Sequence, residues 1–129
     1  MVAVIGGGQL ARMMQEEASA LGVHLRALVE SPHGSAAQIT VDAPVGGADD
    51  EAAVRALMAG RAAAGPDAPS LQAAGAADVL TFEHEHQDQE LLLALQVKGV
   101  PVQPDPRTLL LARDKLTTQI GRASCRERV

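Results

Sequence analysis

A short β-type run, Val2 to Ile5, passes without a spacer into Gly6-Gly7-Gly8, and a helical pattern begins at once with Gln9. No other feature restricts the fold so strongly. Leu10, Met13, Met14, Glu17, Ala18 and Leu21 follow the i, i+3, i+4, i+7 spacing of one helix face, and Gly22 supplies the stop. A second strand pattern follows, with Val23, Leu25, Ala27 and Val29 alternating against His24, Arg26 and Leu28. A strand, a helix and a further strand in immediate succession form a βαβ crossover, which brings the two strands side by side and parallel.

The rest of the chain repeats the alternation. Glu30-Ser31-Pro32-His33-Gly34 reads as a turn and residues 39–45 as a weak strand. Asp49-Asp50-Glu51 places acids at the start of a helix carrying Val54, Leu57 and Met58. Gly60 to Gly75 is an Ala-, Gly- and Pro-rich surface insertion without a functional signal. Asp78 to Phe82 is a buried-type strand and Gln87 to Lys98 a helix with Leu91, Leu92 and Leu95 inward. Val100 to Val102 is a short strand, and Pro104 to Thr118 opens with Pro-Asp-Pro and continues as a helix. The expectation is an α/β, Rossmann-like fold: a mostly parallel sheet with helices on both faces.

Composition narrows the partners. The 129 residues contain one Phe and no Trp or Tyr, which argues against base-stacking platforms, and the formal charge of −5 argues against a nucleic-acid backbone as ligand. No apolar run reaches membrane-span length, and no basic region precedes an apolar stretch at the N-terminus. A single Cys excludes a disulfide framework or a thiolate zinc cluster. The expected class is a cytoplasmic domain with no nucleic-acid or membrane partner. Residues 120–129 (IGRASCRERV) hold three of the eleven basic residues and back-translate onto a common short-read sequencing adapter. The expectation is an artefact rather than a genuine basic tail. Without them the charge is −7 and Cys125 carries no chemistry.

Three segments carry candidate chemistry. Gly6-Gly7-Gly8-Gln9-Leu10-Ala11 satisfies G-x-G-x-x-A between strand and helix, the setting of a dinucleotide or phosphate loop. It serves equally as a tight turn without a ligand. If it holds a dinucleotide, Gly6, Gly8, Ala11 and Glu30 would make this a NAD(P)-binding oxidoreductase domain. The second segment, Leu80 to His86, lies at a strand's carboxyl end. Continued alternation would aim Glu83 and Glu85 one way and His84 and His86 the other. Paired carboxylates there suit hydroxyls or an amine, whereas a metal bound by His-Glu-His would need ligands from opposite faces. A polar strand end is the plain alternative. The third segment is Arg113-Asp114-Lys115-Leu116-Thr117. Taken alone, it is a charged helical turn. Leu109, Leu110, Leu111 and Leu116 make that last helix apolar enough to need a packing partner, so marginal stability is expected of the chain by itself.

In order and spacing, GGGQLARM, TFEHEH and GVPVQPDP followed by ARDKLT resemble the N-terminal region of the N5-carboxyaminoimidazole ribonucleotide synthases, ATP-grasp ligases of purine biosynthesis. The similarity runs from Val2 to about Gln119, apart from the Gly60 to Gly75 insertion. It implies residues 1–104 as a Rossmann-like substrate-binding domain and 105–119 as a helix leading into an ATP-grasp central domain that this chain lacks. It further implies ATP and Mg2+ as cofactors held mainly by the ATP-grasp domains, bicarbonate as co-substrate, a ribonucleotide substrate, and a homodimer for the full-length enzyme. By position in the motifs, Gly8, Gln9, Leu10, Glu83 and Glu85 would contact the ribonucleotide and Lys115 would reach ATP. No catalytic or metal-binding residue is assigned within the chain, which is expected to be inactive alone. A related ATP-grasp ligase acting on another ribonucleotide, such as glycinamide ribonucleotide, is the near alternative.

Overall fold

A computed structural model describes residues 1–60 and 75–113. The expectations for the Gly60 to Gly75 insertion, for Lys115 and for 120–129 therefore fall wholly or largely outside the described residues. The order of elements is β1 (Val2–Ile5), α1 (Gln9–Ala20), β2 (Leu25–Leu28), α2 (Glu51–Ala59), β3 (Val79–Phe82), α3 (Gln89–Val97) and α4 (Thr108–Arg113). The strands form a parallel sheet in the order β2-β1-β3. Ile5 stands beside Leu28 on one side and Phe82 on the other.

The weak strand at 39–45 and the short one at Val100 to Val102 become edges of isolated bridges. Asp42 and Val45 bridge to Arg26 and Val29 outside β2, and Val102 bridges to Leu80 outside β3, all parallel. Proline explains why neither edge grows. Pro44 and Pro101 accept ladder bonds through their carbonyls, from Val29 N–H and Leu80 N–H, but have no N–H to extend pairing outward.

Helices cover both faces, as the alternation required. On one face Ala3, Ile5, Leu28 and Leu80 pack with Val54 and Leu57 of α2, Leu92 and Leu95 of α3, and Leu109 of α4. On the other face Val4, Leu25, Ala27 and Val29 pack with Ala11 and Ala18 of α1 and with Ala36. Small residues on α1 let it lie close to the sheet, so this side needs no aromatic filler.

Covering both faces also buries Arg26, which the strand pattern sets with His24 and Leu28 opposite Leu25 and Ala27. It is 2% exposed. Its Nε donates to Asp42 Oδ2 at 2.6 Å and its Nη1 to the Leu57 carbonyl at 2.8 Å. The last helix is shorter than its pattern at the front. Asp105 takes the Arg107 N–H on its side chain and the Thr108 N–H on its carbonyl, so the chain turns before α4 begins.

Candidate functional site

The strand order places β1 in the middle: the chain leaves it through α1 for β2 on one side and crosses back through α2 to β3 on the other. The carboxyl ends of β1 and β3 are thus the point where connections diverge, the usual ligand crevice of an open α/β sheet. Register then fixes a meeting. Ile5 pairs with Phe82, so Gly6 and Glu83 leave the sheet side by side, and Glu83 N–H donates to the Ile5 carbonyl at 3.2 Å.

The Glu83 carboxylate folds over the glycine turn onto the start of α1. Gly8 N–H (3.0 Å) and Ala11 N–H (3.2 Å) both donate to its Oε2. Helix α1 has Gly8 at its N-cap and no side-chain cap of its own. In α2 and α3, by contrast, Asp50 and Asp88 cap locally. Glu83 supplies for α1 what a local Asp or Ser supplies elsewhere: an acceptor for orphan N–H groups and a negative charge at the positive end of the helix.

Two glycines are required by this side chain. A Cβ on Gly8 would lie 2.3 Å from Glu83 Oε1, and one on Gly6 would lie 2.7 Å from Glu83 Cγ. Gly6 also has φ of +132°, a region that side-chain-bearing residues rarely enter. The glycine pattern suggested close approach of a ligand phosphate. The structure shows close approach of a carboxylate from the chain itself. The dinucleotide reading accordingly loses the two N–H groups on which it depended.

Beside this contact lies a cleft of about 360 Å3, walled by the three glycines, Glu30, Ser31, Gly34, Gly46, Glu83, His84, His86 and Gln87. Among the described residues no Lys or Arg lines it. Its ionisable groups are two carboxylates and two imidazoles, a set matched to hydroxyl, amine or heterocyclic N–H donors rather than to a phosphate. Among the described residues no three His, Cys, Asp or Glu come together as a metal site, so these residues do not fit Mg2+.

The sequence-derived residues part company here. Gly8 and Glu83 share the cleft, and Glu30 joins them. Gln9 is exposed and its Oε1 accepts from Ser35 Oγ at 3.0 Å. Leu10 is 51% exposed and lines an adjoining apolar groove with Met13, Met14, Leu21 and Val23, and Glu83 lines this groove as well as the cleft. Strand alternation stops at Phe82, so the expected opposition of carboxylates and imidazoles fails. His84 and His86 line the cleft with Glu83, while Glu85 is exposed and lies outside the lining, its carboxylate 3.7 Å from His86 Nε2. Gln87, read as the first residue of a helix, is instead a buried wall of the cleft at 2% exposed. Its position directly before the Asp88 cap was the available signal, since a residue preceding an N-cap often turns inward.

Residues 1–67 match the ribonucleotide synthetase preATP-grasp domain. The chain belongs to that family. This preATP-grasp domain is 46% identical over 116 residues to N5-carboxyaminoimidazole ribonucleotide synthase of Mycobacterium tuberculosis, covering 90% of this chain and 23% of that protein. It thus spans about a quarter of the length of the curated relatives it matches. Among solved structures it superposes on N5-carboxyaminoimidazole ribonucleotide synthetase from Thermotoga maritima with TM-score 0.70 and 30% identity, over 92% of this chain and 28% of that one. The carboxyaminoimidazole ribonucleotide synthase of Aspergillus clavatus, solved with ATP, matches with TM-score 0.67 and 27% identity, over 92% and 27%. The motif resemblance and the fold expected from it agree with these relatives. No helix among the described residues is long and apolar enough to cross a membrane.

Proposed function

We propose that this preATP-grasp domain holds the ribonucleotide for an ATP-dependent ligase that carboxylates 5-aminoimidazole ribonucleotide with bicarbonate in purine biosynthesis. The observation that carries the reading is the Glu83 carboxylate, fixed by Gly8 and Ala11 N–H groups at the edge of a cleft with no fixed cation. Its Oε2 is spent on the helix, which leaves acceptor capacity on Oε1 for a ribose hydroxyl or the exocyclic amine. Glu30 across the cleft offers a second acceptor, and Gly8 shapes the floor. The substrate phosphate finds no counter-charge among the described lining groups, so its partners are assigned to residues outside them.

ATP, Mg2+ and bicarbonate belong to the same proposal and are assigned to groups outside the described residues, Lys115 included. Gln9, Leu10 and Glu85 remain proposed contacts at the rim, to be met when further domains close over the cleft. Such closure also keeps water from the labile carboxylated phosphate, which one domain cannot do alone. Cytoplasmic location and a homodimeric whole enzyme complete the proposal.

The test is a calorimetric titration of the 129-residue chain. Binding of 5-aminoimidazole ribonucleotide, weakened about tenfold by Glu83→Gln (the loss of one charge-assisted hydrogen bond), is the expected result. Binding of NAD(H) in its place would overturn the reading. A preference for glycinamide ribonucleotide would move the domain to a related ligase. Turnover of ATP by the chain alone, dependent on the aminoimidazole ribonucleotide, would refute the division of labour.

A further inference from the structure

The loop from Glu83 to Asp88 is held from a direction that the cleft does not suggest. Arg113, the last residue of α4, reaches across it. Its Nε donates to the Glu85 carbonyl at 2.6 Å and its Nη2 to the Gln87 carbonyl. A planar guanidinium with two diverging donors suits two carbonyls two residues apart, whereas a lysine would meet them as a single point. These contacts continue into the cleft wall. The Gln87 amide Nε2 lies 3.3 and 3.4 Å from the two ring nitrogens of His84, and the His86 N–H donates to His84 Nδ1 at 3.1 Å. His84, His86 and Gln87 all line the cleft, and Arg113 does not. At its other end α4 is rooted in the core by Leu109, which packs with Leu80, Leu92, Leu95 and Val102.

We infer that Arg113 is a positioning residue: it fastens the loop carrying the cleft wall to α4, so that filling the cleft and seating α4 favour each other. This rests on the proposed ribonucleotide site and adds to it a mechanical link to the segment that follows β3 and α3. The physical basis is that residues 83–88 belong to no strand or helix, so no ladder or helix turn fixes where their backbone stands. A charged donor fork that spans the loop sets where His84 and Gln87 stand. Coupling of this kind is reciprocal by thermodynamic necessity.

The experiment is an amide-resolved NMR titration of the 129-residue chain with 5-aminoimidazole ribonucleotide, in wild type, Arg113→Ala and Arg113→Lys. In wild type the amides of Leu109 to Arg113, remote from the ligand, shift with the same midpoint as those of Glu83 to Asp88. In Arg113→Ala the loop amides still shift, the α4 amides no longer follow, and affinity falls about tenfold. Arg113→Lys recovers part of the affinity, to within about threefold of wild type. An Arg113→Ala variant that binds as tightly, with α4 still following, overturns the inference and leaves the ribonucleotide reading intact. A wild-type chain that shows no shifts with the ribonucleotide overturns that reading, and this inference with it. If Arg113→Ala loses the dispersed β1 amides of a folded sheet, Arg113→Lys alone decides: full wild-type affinity and coupling there refute the need for the fork.

Discussion

The Gly8 N–H donates to Glu83 Oε2 at 3.0 Å although 75 positions separate the two residues, and Ala11 N–H adds a second bond to the same oxygen. A residue expected to read substrate is thereby also the N-terminal cap of α1. Glu83→Ala should therefore destabilise the free chain by about 1–2 kcal/mol, the usual worth of a helix cap. Glu83→Gln, which keeps a neutral acceptor, should cost less. Urea unfolding in the absence of ligand measures this. An unchanged midpoint in Glu83→Ala would mean that the carboxylate serves the ligand only.

Gly8→Ala tests the same contact from the other side. The added Cβ would stand 2.3 Å from Glu83 Oε1, so the carboxylate must leave the helix start. The expected loss is about 1–3 kcal/mol, as for other overpacked positions. Because the damage is done through Glu83, the double variant Gly8→Ala/Glu83→Ala should lose less than the two single losses combined. Strict additivity by chemical denaturation would show that Gly8 acts independently of Glu83.

Much of the fold was legible because its signals are local. A strand, three glycines and an apolar helix face lie within the first 21 residues, and together they mark a strand, a tight turn and a helix. The parallel order and the covering of both sheet faces follow from that alternation. What the pattern could not show was pairing across long sequence distances. Nothing near Gly8 says that its N–H belongs to Glu83, and the glycine spacing looks the same whether a phosphate or a carboxylate approaches. Continued alternation would set Glu85 beside Glu83, but the ladder ends at Phe82. The burial of Arg26 has a related origin: strand periodicity records a polar residue, but not the Asp42 partner that allows burial.

That buried pair gives a further prediction. Arg26 meets Asp42 at 2.6 Å and also donates to the Leu57 carbonyl in the last turn of α2, joining the sheet edge to a helix. Arg26→Ala leaves both acceptors with a lost partner in a poorly hydrated place and should cost about 3–5 kcal/mol. Arg26→Met, which fills the volume but not the bonds, should recover part of that loss. Thermal and urea denaturation distinguish these outcomes. A loss below about 1 kcal/mol for Arg26→Ala would place Arg26 among surface ion pairs instead.

On the surface, Glu51 joins two helices. Its Oε1 accepts from Lys98 Nζ at 2.9 Å, at the end of α3, and from Arg55 Nε at 2.8 Å, one turn along α2. The hydrogen bond from Lys98, then that from Arg55, hold its carboxyl below the ordinary value of 4.5. A carboxyl with a lowered folded-state value contributes stability above its unfolded value and loses it as the pH falls through the folded one. Glu51→Gln should therefore be less stable than wild type at neutral pH, and the two should converge as the pH falls below 4.5. The difference should be small, because the group is exposed, and should shrink further in about 1 M salt, where the screening length is near 3 Å. Urea midpoints collected from pH 7 downward give the comparison. A gap that stays constant across that range would show that Glu51 stabilises the domain by something other than its charge.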